Sequence, residues 1–529
     1  MRLRLAEPPA VAGQLLMTSR RVTPILTGLV VSVTAALGCA ASAFAQSGKG
    51  FTGFTLTPTV SVTETMTNNV DLSATDPRSD AITQVRLGVS VGSRSGQLRG
   101  VLNYGLTGNF YARNSGRNSI STQNALSANF DVEVVDGRAF VGVSAAIGQA
   151  ATSAFGAQPG LSGLPSSNVT EFRTLSITPR LTGPLGPAVR YTAGLSYTIS
   201  NASGTRAGDS TSTSASVRLG PSSPGVVGWA VDFTATQSDY AAGRNSVDNR
   251  LTGTLSRNFD ALDLLVNVSA GAEATDLASF EQARHWTYGI GATWAPSPRT
   301  KLVAQFDERF FGRSHVVRFE HRTALTTWTI SDTRSLNLSG NGITTGGRGA
   351  TFDLYYTQFA AIEPDPVKRT DLVNSYLKAN GLAASGGAET GFLRAGETVV
   401  RGQNVSVAYR GLRGAAVLAV SRSVNVPIKG GALPSADFIN TSSIVSDIVS
   451  LNLSHRLTSM SSANLTLSHQ QSHGDQPAQY SKQRELRLQY VAGLTDRSNV
   501  TAGTRRALYK TNQTPYNESA VFATYGYRF

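Results

Sequence analysis

After residue 45, apolar and polar positions take turns. Val189, Tyr191, Ala193, Leu195, Tyr197 and Ile199 alternate with Arg190, Thr192, Gly194, Ser196 and Thr198. Val227, Trp229, Val231, Phe233 and Ala235 repeat the pattern, as do Trp286, Tyr288, Ile290, Ala292 and Trp294, and Leu486, Leu488, Tyr490 and Ala492. A period of two marks a strand with one apolar face. Most of these segments run ten to fifteen residues. A tilted strand needs ~9–11 residues to cross a bilayer, whereas strands of soluble domains average about 5–6. Length, more than alternation, predicts strands that span a membrane. No stretch after Ala45 is long and apolar enough for a membrane helix.

The connections carry a second pattern. Tight turns are expected at 93–96, 135–138, 182–187, 220–225, 257–261, 295–299, 332–335, 411–414, 458–462 and 494–498, with longer polar connections such as 66–80, 148–171, 201–210, 425–443 and 473–480 between them. Tight on one side and long on the other is the habit of outer-membrane barrels, whose periplasmic turns are short. Ten tight turns imply an all-β, antiparallel up-and-down transmembrane barrel of 22 strands, within about ±4. Parity then places both termini in the periplasm.

One region departs from the rhythm. Between Gly340 and Gly402 only Thr351–Phe359 reads as a strand. Asp365 and Pro366 open a helix over 366–380, closed by Asn380 and Gly381, with Val367, Val373, Tyr376 and Leu377 on its apolar side. This insertion, 340–402, is expected either to fold into the lumen as a plug or to stand as a hairpin with a surface helix.

Composition sharpens the picture. Charged residues are 15% of the 529, against roughly 25% in a typical soluble protein. Ser, Thr, Asn and the 52 glycines take their place, which suits a wall with a polar lumen. The first 45 residues read as a signal peptide: Arg20 and Arg21, an apolar stretch Ile25–Leu37, and Ala43-Phe44-Ala45 for cleavage after Ala45. Met17 offers a second start, and rival readings are a lipoprotein signal at Cys39 and a twin-arginine signal at Arg20-Arg21. Removal takes Arg2, Arg4, Arg20, Arg21 and Glu7 and lowers the net charge from +13 to +10. It also removes Cys39, the single cysteine, so disulfides and Cys-based metal sites are excluded from residues 46–529. The chain ends with Val521, Ala523, Tyr525, Tyr527 and Phe529 on one face. Tyr525, Tyr527 and the terminal Phe529 resemble the recognition signal of the barrel-assembly machinery, an expected partner alongside outer-membrane lipid.

With the apolar faces turned to lipid, the inward arginines are Arg86, Arg99, Arg180, Arg190, Arg218, Arg250, Arg309, Arg318, Arg322, Arg410, Arg487, Arg505 and Arg528. The inward acids are Asp131, Glu133, Asp232, Asp263, Asp307, Glu320 and Glu485. Such a lumen either knits itself with ion pairs or favours an anionic solute, since guanidinium forks suit carboxylate, sulfate and phosphate. No run of five or more basic residues suggests a nucleic-acid partner. Enzyme signals are weak. Gly88-Val89-Ser90-Val91-Gly92 matches a nucleophile-elbow string but lies in an alternating strand. His469 and His473 have a helical metal-pair spacing without a third ligand, and His321 falls on the lipid face. Gly346-Gly347-Arg348-Gly349 lacks the Lys-Ser/Thr of a phosphate loop. No catalytic residue, metal or cofactor is expected.

Several short segments resemble outer-membrane β-barrel proteins of the PEP-CTERM/exosortase system, which are typically encoded among exopolysaccharide genes. They are Thr67-Asn68-Asn69-Val70, Trp294 to Thr300, Arg309-Phe310-Phe311-Gly312, His321-Arg322-Thr323, the Asp365-Pro366 helix and Tyr516-Asn517-Glu518-Ser519. This chain has Asn68-Asn69 where the family shows Asp-Asn. The resemblance implies a non-enzymatic barrel serving export or assembly of extracellular polysaccharide, with an anionic polysaccharide as partner. The alternatives are an anion-preferring porin or uptake channel and an outer-membrane hydrolase.

Overall fold

The computed structural model describes residues 53–94, 96–114, 122–156, 168–204, 208–223, 225–279, 281–338, 350–360, 362–363, 366–379, 392–393, 396–428, 435–439, 441–511 and 515–529. The expected cleavage residues Ala43 and Ala45 lie outside them. The first strands are β1 (Phe54–Thr67), β2 (Asp80–Arg94), β3 (Leu98–Tyr111), β4 (Thr122–Val135), β5 (Ala139–Ala151) and β6 (Val169–Leu185). Next come β7 (Val189–Ala202), β8 (Ser210–Pro221), β9 (Val227–Tyr240), β10 (Ser246–Phe259), β11 (Leu264–Thr275) and β12 (Ala283–Ser297). β13 (Thr300–Arg309), β14 (Gly312–Arg322) and β15 (Thr326–Asn337) precede two helices, α1 (Ala350–Phe359) and α2 (Pro366–Ala379). The chain then resumes with β16 (Thr398–Arg410), β17 (Gly414–Pro427), β18 (Ile444–Arg456) and β19 (Ser461–His473). It ends on β20 (Tyr480–Gly493), β21 (Ser498–Thr511) and β22 (Tyr516–Arg528).

Each strand pairs antiparallel with its successor, and β1 closes on β22 with Val62 opposite Tyr525 and Thr67 opposite Ala520. The result is a closed, 22-stranded up-and-down transmembrane barrel, as the alternation predicts. Closure is what lets every strand satisfy its amides where no water is available. Its outer face keeps large side chains uncovered, among them Leu195, Trp286 (83% exposed), Ile290 and Leu488. A continuous apolar band of this kind has no place on a water-soluble monomer. Tyr525, Tyr527 and Phe529 stand along the last strand, with the Phe529 amide donating to Pro58 and its ring edge-on to Tyr527.

Connections of two to five residues join the strands at one end, here called the turn end, and mostly longer ones at the other, the loop end. Two readings need correction. The turn expected at 332–335 lies inside β15, and the chain reverses instead at Thr323–Thr326, where the Thr323 hydroxyl accepts the Thr326 amide. Asp332 looked like a turn residue because it is polar, but it is held within the wall by Arg401, Gln403 and His315. Likewise Thr351–Phe359 is helical, not extended. Its aromatics favour strands in isolation, yet Phe352, Tyr355 and Phe359 fall at helical spacing and pack on one side.

Candidate functional site in the barrel lumen

The helices fix which face of the wall looks inward. Leu393 of the insertion packs with Ala150 of β5 and Phe172 of β6, and its amide donates to Ala151. The register carries that face around the barrel. Every arginine assigned inward from sequence lies on it. Glu273, Asp248 and Glu518, absent from the inferred set of acids, lie there too. Asp263 instead sits in a turn with φ 48° at the end of a 3-10 segment, Asp260–Leu262.

Two of the missed acids anchor the tightest pairs. Arg505 donates to both carboxylate oxygens of Glu518, at 3.0 and 2.6 Å, and Thr67 adds a hydroxyl at 2.9 Å. Arg309 is bound by Glu273 and lies 3.5 Å from Asp248. Both networks belong to the loop-end half of the wall. Elsewhere the ion pairs are looser and wetter: Arg218–Asp232 at 3.3 Å, Arg318–Glu320 at 3.9 Å and Arg180–Asp131 at 4.0 Å. Arg86, Arg99, Arg190 and Arg250 have no carboxylate within 4.0 Å among the described residues. Arg86 lies flat across Gly105, where any Cβ would stand 2.7 Å from its guanidinium. Arg487 covers the Phe522 ring at 4.5 Å.

The turn-end rim is conspicuously basic. Arg99, Arg190 and Lys301 are the second residues of their strands, and Arg322, Arg410, Arg456 and Arg528 are the last of theirs. Farther up the wall, Arg218, Asp232, Arg250, Asn267, Gln305 and Asp307 border a concavity of about 650 Å³.

α1 and α2 pack against the inward faces of β16 and β17 at this same rim. Phe352, Tyr355, Phe359, Val373 and Leu377 form one buried cluster with Ala408, Ala415 and Val417. The small wall residues make room for the rings. Tyr355 donates to the Tyr409 carbonyl at 3.1 Å, Arg322 donates to the Thr357 carbonyl at 2.9 Å, and Arg410 lies over the Phe359 ring. Burial pushes the Tyr355 phenol well above its ordinary range, assisted by its neighbour Tyr376, so both rings stay neutral. β15 ends and β16 begins at the loop end, so the insertion enters from one end and seats its helices at the other.

The loop end is crossed by other segments. The stretch after β5 reaches β20 and β21, where Ser481 donates to the Ala154 carbonyl and Tyr509 to that of Phe155. Asp437 clamps it, accepting from the Ser153 hydroxyl at 2.7 Å and the Ala154 amide at 2.6 Å. Phe392 and Phe438 fill the space beneath. Burial pushes the Asp437 carboxyl above its usual range, against the pull of those two donors. A native state that binds the proton more tightly than the open one gains stability as pH falls. Docking of residues 152–156 is therefore expected to be firmest below the ordinary Asp value of about 3.9 and to weaken as pH rises through the raised one. Amide exchange corrected for intrinsic rates should show this, and Asp437→Asn should flatten the dependence. Protection that grows with pH would contradict the assignment.

Ser90 faces the lumen midway along β2, which runs on as strand to Arg94, so no helix follows it as a nucleophile elbow requires. His469 and His473 both lie on the outward face of β19, roughly 13 Å apart at strand rise, too far to share an ion. The His321 ring meets the Thr300 hydroxyl at 2.9 Å. Among the described residues no group of three His, Cys, Asp or Glu could hold a metal.

No family model and no curated protein matches the chain. Solved structures to which it is similar include BauA, the ferric preacinetobactin receptor of Acinetobacter baumannii, at 11% identity over 89% of this chain and 80% of that one, with a TM-score of 0.44. The siderophore receptor PirA of Acinetobacter baumannii matches at 8% identity over 90% and 80%, with a TM-score of 0.43. OccK5 (OpdH) of Pseudomonas aeruginosa matches at 9% over 90% and 98%, with a TM-score of 0.31.

Proposed function

We propose that the chain is an outer-membrane barrel for export or assembly of an anionic extracellular polysaccharide, with the α1–α2 pair acting as an internal plug. The turn end then faces the periplasm, and its basic rim meets the polymer first. The observation carrying this reading is the uneven lumen charge. Acids are tightly partnered in the loop-end half, while Arg99, Arg190, Lys301, Arg322, Arg410, Arg456 and Arg528 gather at the turn-end rim. A cationic mouth raises the local concentration of a polyanion and is screened by salt. The resemblance to exopolysaccharide-linked barrels supports the polymer in particular.

Purified protein in a planar bilayer tests this. Current should be small, anion-selective, and further blocked by alginate added at the turn end but not by neutral dextran. Arg99→Glu with Arg190→Glu should reverse the sign of the zero-current potential in a salt gradient and abolish the alginate block. A large, steady anion current indifferent to alginate would instead favour the porin. That reading draws on the barrel's size: 22 strands enclose a bore roughly 40 Å across, wider than two helices of roughly 10–12 Å can fill.

A further inference from the structure

The outward wall carries a charged patch unrelated to the lumen. Lys482 of β20 and Lys510 of β21 stand directly opposite one another. Arg484 follows two residues along β20, opposite Leu508, and Arg506 sits two residues beyond that, opposite Leu486. All four share the face of the exposed Leu486, Leu488 and Tyr490, so they point out of the barrel. None has a carboxylate within 4.0 Å among the described residues, and Asp447, on the same outer face of nearby β18, is taken by Arg422 at 3.6 Å.

Like charges directly opposed across a sheet repel, and they repel more strongly beside hydrocarbon than in open water. A second outward cluster shows how the same wall neutralises itself elsewhere. There Arg401 meets Asp332 at 2.6 Å, and His315 and Gln403 complete the set. The β20–β21 patch has no such internal acid. Its height is also telling. Below Arg506 the outer face turns apolar through Leu486, Leu488 and Tyr490 on β20 and Val521 and Tyr525 on β22. The cations therefore begin where hydrocarbon ends and headgroups start, and they extend four residues, roughly 13 Å, toward the loop end.

We propose that Lys482, Arg484, Arg506 and Lys510 bind the phosphates of an acidic lipid in the leaflet at the loop end. The patch is too long for one phosphate and suits a headgroup carrying two on a disaccharide. This site depends on the membrane-spanning fold and not on what passes through the lumen.

The full chain in neutral detergent should retain diphosphoryl lipid A in native mass spectrometry. The same lipid should raise the temperature at which the folded band shifts on an SDS gel. Lipid A stripped of both phosphates and inorganic phosphate should do neither. Lys482→Gln with Lys510→Gln should weaken retention at least tenfold, yet melt no lower than the parent in lipid-free detergent, because the opposed charges are gone. Should that variant fail to assemble, a salt series on the parent decides: retention must fall steeply as salt rises. Equal binding of the dephosphorylated lipid, undiminished binding by the variant, salt-independent retention or equal stabilisation by inorganic phosphate would each overturn the site.

Discussion

Replacing Glu518 with Ala is expected to cost the barrel about 3–5 kcal/mol, the range for stripping the partner from a buried ion pair. Arg505 and Glu518 have side chains only 3% and 1% exposed. Without the carboxylate, the guanidinium loses both of its short contacts and Thr67 loses its acceptor. The location magnifies the effect, because β21, β22 and β1 meet there at the seam that closes the sheet. Replacing both partners, Arg505→Leu with Glu518→Leu, should cost much less, since no charge is left stranded. By contrast Asp232→Ala should change stability by less than about 1 kcal/mol, because its partner Arg218 is 65% exposed and water already screens the pair. Urea unfolding, read from the heat-dependent shift of the folded band, gives all three values. A Glu518→Ala loss no larger than that of Asp232→Ala would mean the seam is held by backbone pairing alone.

Most of the wall was legible because a bilayer imposes one rule on every strand. Val189 to Ile199 and Trp286 to Trp294 alternate without a break, so both face and register follow from the side chains. Even the strand number survives a misplaced turn, because the reversal at Thr323–Thr326 replaces the one expected at 332–335. That turn has no Gly or Pro and is made by the Thr323 hydroxyl, while the polar run Asp332 to Ser335 belongs to a lattice of charges on the outer wall. The signals were therefore exchanged for an understandable reason. Turn chemistry and interfacial polar chemistry use the same residues.

The lumen was less legible. Glu273 and Glu518 are acids on otherwise clean inward faces, and their pairing depends on strands that lie far apart in sequence, 36 residues for Arg309 and Glu273. Alternation places a residue on a face but cannot say which opposite charge stands beside it. The same limit hid α1. Phe352, Tyr355 and Phe359 have strand propensity, and only the pocket made by Ala408, Ala415 and Val417 lets them win more burial as a helix. A small-residue stripe at Ala408, Ala415 and Val417, on two strands otherwise rich in larger lumen groups, was the available hint that something packs there.

Excising residues 338–397 and joining the strands with Asn-Gly should give a folded barrel whose conductance is several-fold that of the full chain. Asn337 and Thr398 are register partners, so their strands already stand where a two-residue turn can connect them. The insertion is thus not needed to set β15 beside β16. What it supplies lies inside: the Phe359 and Tyr355 contacts with Arg410 and Tyr409 at the turn-end rim, and the hydrogen bond from Ser246 to Glu397 near the loop end. Removal exposes little, since the wall residues uncovered are mainly Ala408, Ala415 and Val417. It also leaves the closing strands untouched, so the folded band should persist on an unheated gel. Conductance equal to that of the parent, with the folded band intact, would show that the helices stand beside the path of ions and do not block it.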